Sequence, residues 1–129
     1  MLKVVKFGGS SLANSNQFKK VKNIIEQDES RKFVVVSAMG KSDKNDHKIT
    51  DLLYLTAAHL KYGVDASSVF DIIKQKYLNA RDELGLKTDL ESEFEKLEKT
   101  FSKNIDEEML VSRGEYFAAM LMADYLGYH

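Results

Sequence analysis

The sequence has no cysteine, which excludes a disulfide framework, Cys-ligated zinc and a thiol nucleophile. Its three histidines, His47, His59 and His129, are far apart and form no HExxH or other metal-ligand spacing, so no metal site is expected from protein ligands. Charge of one sign is also missing: 19 basic and 20 acidic side chains leave a formal net charge of -1. That balance removes the electrostatic case for non-specific nucleic-acid binding, which needs a basic surplus or stripe. No apolar run approaches the ~20 residues of a membrane span. The lysine at position 3 precedes only a short β-type run rather than the apolar core of a signal peptide. The chain reads as cytoplasmic, with neither nucleic acid nor membrane as a partner. Proline is absent as well, so nothing forces an interruption within the helical stretches.

What is present is ordinary for a globular protein: 43% hydrophobic and 30% charged residues. A length of 129 residues suits one compact domain or a piece of a larger one, with no internal repeat or low-complexity tract. Leu2-Lys3-Val4-Val5-Lys6-Phe7 is a β-prone run ended by two glycines. From about Ser15 to Asp28, Phe18, Val21, Ile24 and Ile25 fall at helical spacing. Phe33-Val34-Val35-Val36 is a continuous β-branched run of the kind buried on both faces in parallel sheets. Strand, helix and strand make a βαβ unit.

After Ser37, residues Lys41 to Lys48 are polar and without helix or strand period, which predicts an exposed, mobile loop. A helix is predicted from near Thr50 to about Lys61, with Leu52, Leu53, Thr56 and Leu60 as its apolar face. Another spans about Ala66 to Leu84 through Val69, Phe70, Ile73, Tyr77 and Leu84, and Gly63 and Gly85 are the expected C-terminal stops. Thr88-Asp89-Leu90-Glu91 has the form of a capping box ahead of Leu90, Phe94, Leu97 and Phe101. A last helix begins between Asp106 and Arg113 and ends before Gly127. Two interior-type strands cannot cover each other, and the sequence stops at Gly127-Tyr128-His129, where a third strand would be expected. The expectation is the first part of a larger α/β domain.

Three places could carry chemistry. In Lys6-Phe7-Gly8-Gly9-Ser10-Ser11, adjacent glycines permit φ > 0 and close approach of a ligand. A following helix would turn its first N–H groups toward that turn as an anion site, and Lys6 would add a full charge. The competing reading is a plain βα turn with Ser10 or Ser15 as a helix cap. The pattern is neither a Walker A loop nor GxGxxG. Ser37 stands at the C-terminal end of a parallel strand, where α/β sheets bind ligands, but it could simply end the strand. Thr50 could be only a helix N-cap, and Ser112-x-x-Glu115 has capping-box form. His59 reads as an ordinary helix side chain.

Val5-Lys6-Phe7-Gly8-Gly9-Ser10-Ser11 closely resembles the opening signature of the aspartokinases, within the amino-acid kinase superfamily. Val34-Val35-Val36-Ser37-Ala38-Met39-Gly40 is similar to that family's second motif, Ile49-Thr50-Asp51-Leu52-Leu53 to the segment after it, and Ser112-Arg113-Gly114-Glu115 to a further motif. The four matches occur in the family's order and cover the chain. The resemblance implies an α/β fold of three αβα layers, the carbamate-kinase-like amino-acid-kinase fold, helix-rich with a parallel sheet. Residues 1–129 would be its N-terminal part, with the adenine-holding half and the ACT regulatory domains having no counterpart.

It also implies transfer of the γ-phosphoryl group of ATP, with Mg2+, to the side-chain carboxylate of L-aspartate. That is the entry step to lysine, threonine and methionine biosynthesis. By the same resemblance Lys6 is the catalytic cation, and Lys6, Phe7, Gly8, Gly9 and Ser10 hold the ATP phosphates. Ser37, Thr50 and Glu115 bind aspartate, with Glu115 on its α-ammonium group, and the complete enzyme is a homo-oligomer. The Lys41–Lys48 loop differs in length and charge from the simplest form of the motif and would lie near the site, as a lid or with a phosphate-facing lysine. The isolated chain, holding half an active site, is expected to bind ATP weakly and turn over little or nothing. Two other readings stay open: a superfamily member acting on glutamate, acetylglutamate, carbamate or a nucleotide, and a non-catalytic module retaining half the fold.

Overall fold

The computed structural model describes residues 3–28, 31–41, 43 and 46–127. Leu2 of the first strand, Ser42, Lys44 and Asn45 of the charged loop, and Tyr128 and His129 lie outside the described residues. Strand β1 (Lys3–Phe7) leads through a 3-10 turn (Gly9–Leu12) into α1 (Ser15–Glu26), and β2 (Arg31–Val36) follows. Four helices complete the chain: α2 (Ile49–Lys61), α3 (Ser67–Glu83), α4 (Leu90–Glu98) and α5 (Glu107–Leu126).

The two strands pair in parallel, with Val5 opposite Val34, Lys6 opposite Val35 and Phe7 opposite Val36. Side chains alternate across a pleated sheet. Phe7 and Val36 are accordingly buried in the core, with Val5 and Val34 packed against it. Val4 and Val35, by contrast, are 69% and 47% exposed. The expectation of burial on both faces is therefore corrected at Val35: the described helices cover one face only. Of the three-layer architecture, the described residues form two strands and the helices against one side of them.

The helices form where the apolar spacing predicts them. Phe18, Val21 and Ile25 of α1 are buried, while Ile24, a quarter-turn aside, is exposed. Ile49, Leu52, Leu53, Thr56 and Ala57 are the buried face of α2, and Val69, Phe70, Ile73, Tyr77 and Ala80 that of α3. Gly63 and Gly85 stop α2 and α3 with φ of 71° at both, and Gly127 caps α5 at 79°, a region that costs other residues strain.

The caps differ from those predicted. Asn14 caps α1 by accepting from the Gln17 N–H, while Ser15 donates its hydroxyl to Glu83. At α4 the cap is Asp89, which accepts from the Ser92 N–H. Thr88 instead donates to Asp124, and Glu91 pairs with Arg81. The capping box read at Thr88–Glu91 is thus not formed, because both of its polar ends have partners on other elements.

A chain of edge-to-face rings ties α3, α4 and α5. Phe70 meets Phe94 at 6.1 Å, Phe94 meets Phe117 at 4.9 Å, and Phe117 meets Tyr77 at 5.6 Å. Such pairs contribute about 0.5–1.5 kcal/mol each beyond burial. Helix α5 also crosses α2 closely at Gly114. A Cβ there would lie 2.9 Å from Ala38 Cβ, 3.0 Å from Leu53 Cδ1 and 3.2 Å from Ile49 Cγ2.

Gly114→Ala gains about 1 kcal/mol of helix propensity against an overpacking cost of about 1–3 kcal/mol. The expected outcome is a net loss of stability of up to about 2 kcal/mol in urea denaturation. A variant as stable as the parent would mean that α5 does not pack this closely.

Candidate functional site

The segments leaving β1 and β2 cross each other at their glycines. The Gly40 N–H donates to the Gly9 carbonyl at 2.9 Å, and the Ser37 N–H to the Phe7 carbonyl at 3.2 Å. A Cβ on Gly40 would fall 2.5 Å from both Gly9 C and Gly9 O and 2.9 Å from Ser10 N, which is backbone on backbone with nothing free to give way. Gly9 is also close, its absent Cβ 3.4 Å from the Ala38 carbonyl oxygen. Gly8 differs: a Cβ there would meet nothing within 4 Å. Its backbone is extended, at φ -80°, ψ 175°, and positive φ is confined to Gly63, Gly85 and Gly127 among the described residues. The expected use of positive φ in the Gly-Gly turn is therefore corrected. What these glycines provide is close approach, of Gly40 to Gly9 and of open space to Gly8. The Ser11 N–H closes the 3-10 turn on the Gly8 carbonyl at 3.1 Å.

Around this crossing lies a cavity of about 440 Å³ lined by Gly9, Ser10, Ser37, Ala38, Met39, Gly40, Lys41, Lys48 and Thr50. It joins two groups of residues singled out separately in the sequence, Gly9 and Ser10 on one side, Ser37 and Thr50 on the other. Thr50 is the second residue of α2, which begins at Ile49, so it is not the N-cap considered for it. The cap position belongs to Lys48, whose side chain makes no capping bond. The first turn of a helix, rich in N–H groups without intrahelical partners, thus borders the cavity together with two lysines, a setting that favours anions. The Ser37 hydroxyl donates to the Ala38 carbonyl at 3.1 Å.

The remaining sequence-selected residues do not line this cavity. Lys6 is exposed on the open face of β1 opposite Val35, and Phe7 turns its ring into the core. Glu115 is exposed on α5, next to the tight crossing at Gly114. Asp106 caps α5 by accepting from the Met109 N–H, and Ser112 lies inside the helix, donating to the Met109 carbonyl at 2.6 Å. The capping-box reading of Ser112 and Glu115 is therefore excluded. The Arg113 guanidinium lies over the Tyr116 ring, 4.7 Å from its centroid.

Tyr77 connects α5 to the cavity wall, and sequence reasoning had placed it only on a helix face. Its buried hydroxyl donates to the Gly114 carbonyl at 2.8 Å and stands 3.4 Å from the Met39 N–H. Burial pushes this phenol well above the usual tyrosine range, an effect the Met39 N–H opposes and the charge of Glu115 reinforces. It stays neutral, a donor fixed between α5 and the strand-end loop. Lys76 of α3 is a second residue missed in the sequence: its ammonium reaches Gly40, Asp46 and His47. Neither carries a local signal, since their partners are 29 to 38 residues away.

Residues 1–129 match the amino acid kinase family. The chain is 44% identical over 85 residues to aspartokinase 3 of Bacillus subtilis, an alignment spanning 66% of this chain and 19% of that protein. The crystal structure of Clostridium acetobutylicum aspartate kinase superposes with a TM-score of 0.91 at 47% identity, over 96% of this chain and 29% of that one. Aspartokinase III of E. coli, solved with aspartate and ADP, shares the fold at a TM-score of 0.78 and 24% identity, over 98% of this chain and 29% of that one. The chain thus spans less than a third of the length of these relatives.

Removing the Tyr77 hydroxyl leaves the buried Met39 N–H without it, so Tyr77→Phe should lower stability by about 1–3 kcal/mol. Because folding raises the Tyr77 pKa above its ordinary value of 10.0, its contribution is complete below about pH 10 and is lost as pH rises beyond that. Stability measured from pH 8 to 11 should therefore fall less steeply in the variant than in the parent, and identical slopes would contradict the buried, neutral phenol. With its fold, cavity and four ordered motifs taken together, the chain belongs to the amino acid kinase family, and within it is similar to the aspartate kinases.

Proposed function

We propose that this chain forms the phosphate-facing and amino-acid-facing half of an ATP-dependent aspartate kinase. The reaction moves the γ-phosphoryl group of ATP to the side-chain carboxylate of L-aspartate, giving 4-phospho-L-aspartate and ADP, the entry to lysine, threonine and methionine biosynthesis. One observation carries the reading: Gly9 and Ser10 share a cavity with Ser37 and Thr50. Residues far apart in sequence thereby face the same volume, which supports assigning phosphate to one side and the amino acid to the other.

The chemistry suits the residues. A carboxylate with an ordinary pKa near ~3.9 is already ionised at neutral pH, so no general base is required. The barrier lies in bringing an anionic nucleophile to an anionic phosphate, and positioning with cations and N–H donors lowers it. Lys6 neutralises the transferring group, and the backbone around Gly8, Gly9 and Ser10, at the strand end that Phe7 anchors in the core, receives the phosphate oxygens. The open space at Gly8 supports this, since no protein atom there demands a glycine. Ser37 and Thr50 hold the aspartate, with the first turn of α2 and Lys48 favouring its negative charge. Glu115 pairs with its α-ammonium group. Among the described residues no group of three His, Asp or Glu is placed to hold a metal ion, and Mg2+ accompanying ATP would be held chiefly by the phosphates and water, offsetting their charge.

In the complete enzyme, the adenine-holding half and the ACT-type regulatory domains belong to the rest of the protein. The enzyme acts as a homo-oligomer in the cytoplasm. No helix among the described residues is long and apolar enough to cross a membrane.

The test is coupled ADP formation by the complete enzyme across a panel of amino acids. Aspartate should be the preferred acceptor, and preference for glutamate or an acylated amino acid would overturn the reading. Lys6→Met should lower kcat by about 10²-fold or more, the scale of one preorganised donor. Glu115→Ala should instead raise the KM for aspartate about 10- to 100-fold, as expected for a lost charged hydrogen bond, with the melting temperature unmoved. An unchanged KM would end that assignment.

A further inference from the structure

The Lys76 ammonium carries three N–H donors and has three acceptors around it. They are the Gly40 carbonyl at 2.6 Å, the Asp46 carboxylate at 2.5 Å and the His47 carbonyl at 3.1 Å. Its side chain is only 11% exposed. Asp46 in turn accepts the His47 N–H at 2.8 Å through its other oxygen. Gly40 leaves the β2 end and His47 precedes the start of α2, so one cation on α3 binds both ends of the connection between them.

Both ends belong to the cavity wall. Gly40 lines the cavity and makes the backbone crossing with Gly9, and Lys48, which follows His47, lines it too. Lys76 itself does not line that cavity; it borders a separate one behind the wall with Asn14, Ser15 and Glu83. Its charge is met by Asp46, so its effect on an anionic substrate through space is small. What it supplies is geometry, because a mostly buried ammonium without its acceptors is costly and the loop ends are held to it.

We propose that Lys76 is a positioning residue, holding the β2–α2 connection in the shape that sets Ser37 and Thr50 against the substrate. The proposal rests on the aspartate-kinase reading for the identity of that substrate. In the complete enzyme, Lys76→Met should raise the KM for aspartate about tenfold with kcat within about twofold, the pattern of weakened binding shared by ground state and transition state. Lys76→Arg, which keeps the charge and several donors, should restore part of the loss. In parallel, amide hydrogen exchange should quicken about tenfold at Gly40 and at Ile49, whose N–H donates to the Met39 carbonyl.

An unchanged KM in Lys76→Met overturns the proposal. So does a joint fall of kcat and melting temperature with both KM values raised, which marks a merely structural role. If the unsubstituted enzyme shows no aspartate-dependent turnover, the substrate reading fails, and the exchange rates alone decide on the clasp. Faster exchange at both amides sustains it, and unchanged rates overturn it.

Discussion

Two parallel strands end side by side, and the chain leaving each must turn away without colliding with the other. Here the solution is a backbone-to-backbone contact, the Gly40 N–H on the Gly9 carbonyl at 2.9 Å, with no room for a side chain on Gly40. The crossing sets where Ser10 stands relative to Ser37, and hence the two sides of the cavity. It also explains a glycine at each strand end without invoking unusual dihedral angles. One glycine admits the neighbouring backbone, while Gly8 leaves its surroundings open.

The helices hold that crossing from behind. Tyr77 joins the Gly114 carbonyl of α5 to the loop at Met39, and Gly114 lets α5 settle against Ala38, Leu53 and Ile49. Lys76, the preceding residue, holds the next part of the same loop. Adjacent residues of α3 therefore hold one wall, the phenol at Met39 and the ammonium at Gly40, Asp46 and His47. The Ser112–Glu115 segment has a dual character as a result. Its glycine is a packing requirement, and Glu115 is exposed.

Features set by local periodicity and stereochemistry were legible in the sequence. Phe18, Val21 and Ile25 announce the buried stripe of α1, and Gly63 and Gly85 announce helix ends because positive φ is cheap only for glycine. Features decided by distant partners were not. Thr88 and Glu91 have the spacing of a capping box, yet Asp124 and Arg81 take them. Ser112 has the same spacing, but Asp106 starts the helix earlier. The β-branched run of β2 reads as buried on two faces, whereas Val35 finds no covering layer among the described residues. At the site, residue types and motif order pointed to Ser37 and Thr50. The contacts of Lys76 follow only from the fold, because a lysine in a helix carries no sign of what lies across from it.

On the proposed reading, the site holds anions by geometry rather than abstracting protons. Backbone N–H groups, a helix start and lysines surround a small cavity, and a ready-ionised nucleophile needs little more than correct placement. The most direct measurement is a crystal structure of the complete enzyme with L-aspartate and a non-hydrolysable ATP analogue. The terminal phosphate should lie on the backbone of Gly8 to Ser10 within reach of Lys6. The aspartate carboxylate should lie between Ser37 and Thr50, with its ammonium toward Glu115. Either ligand bound productively away from the Gly9–Gly40 crossing would contradict the account.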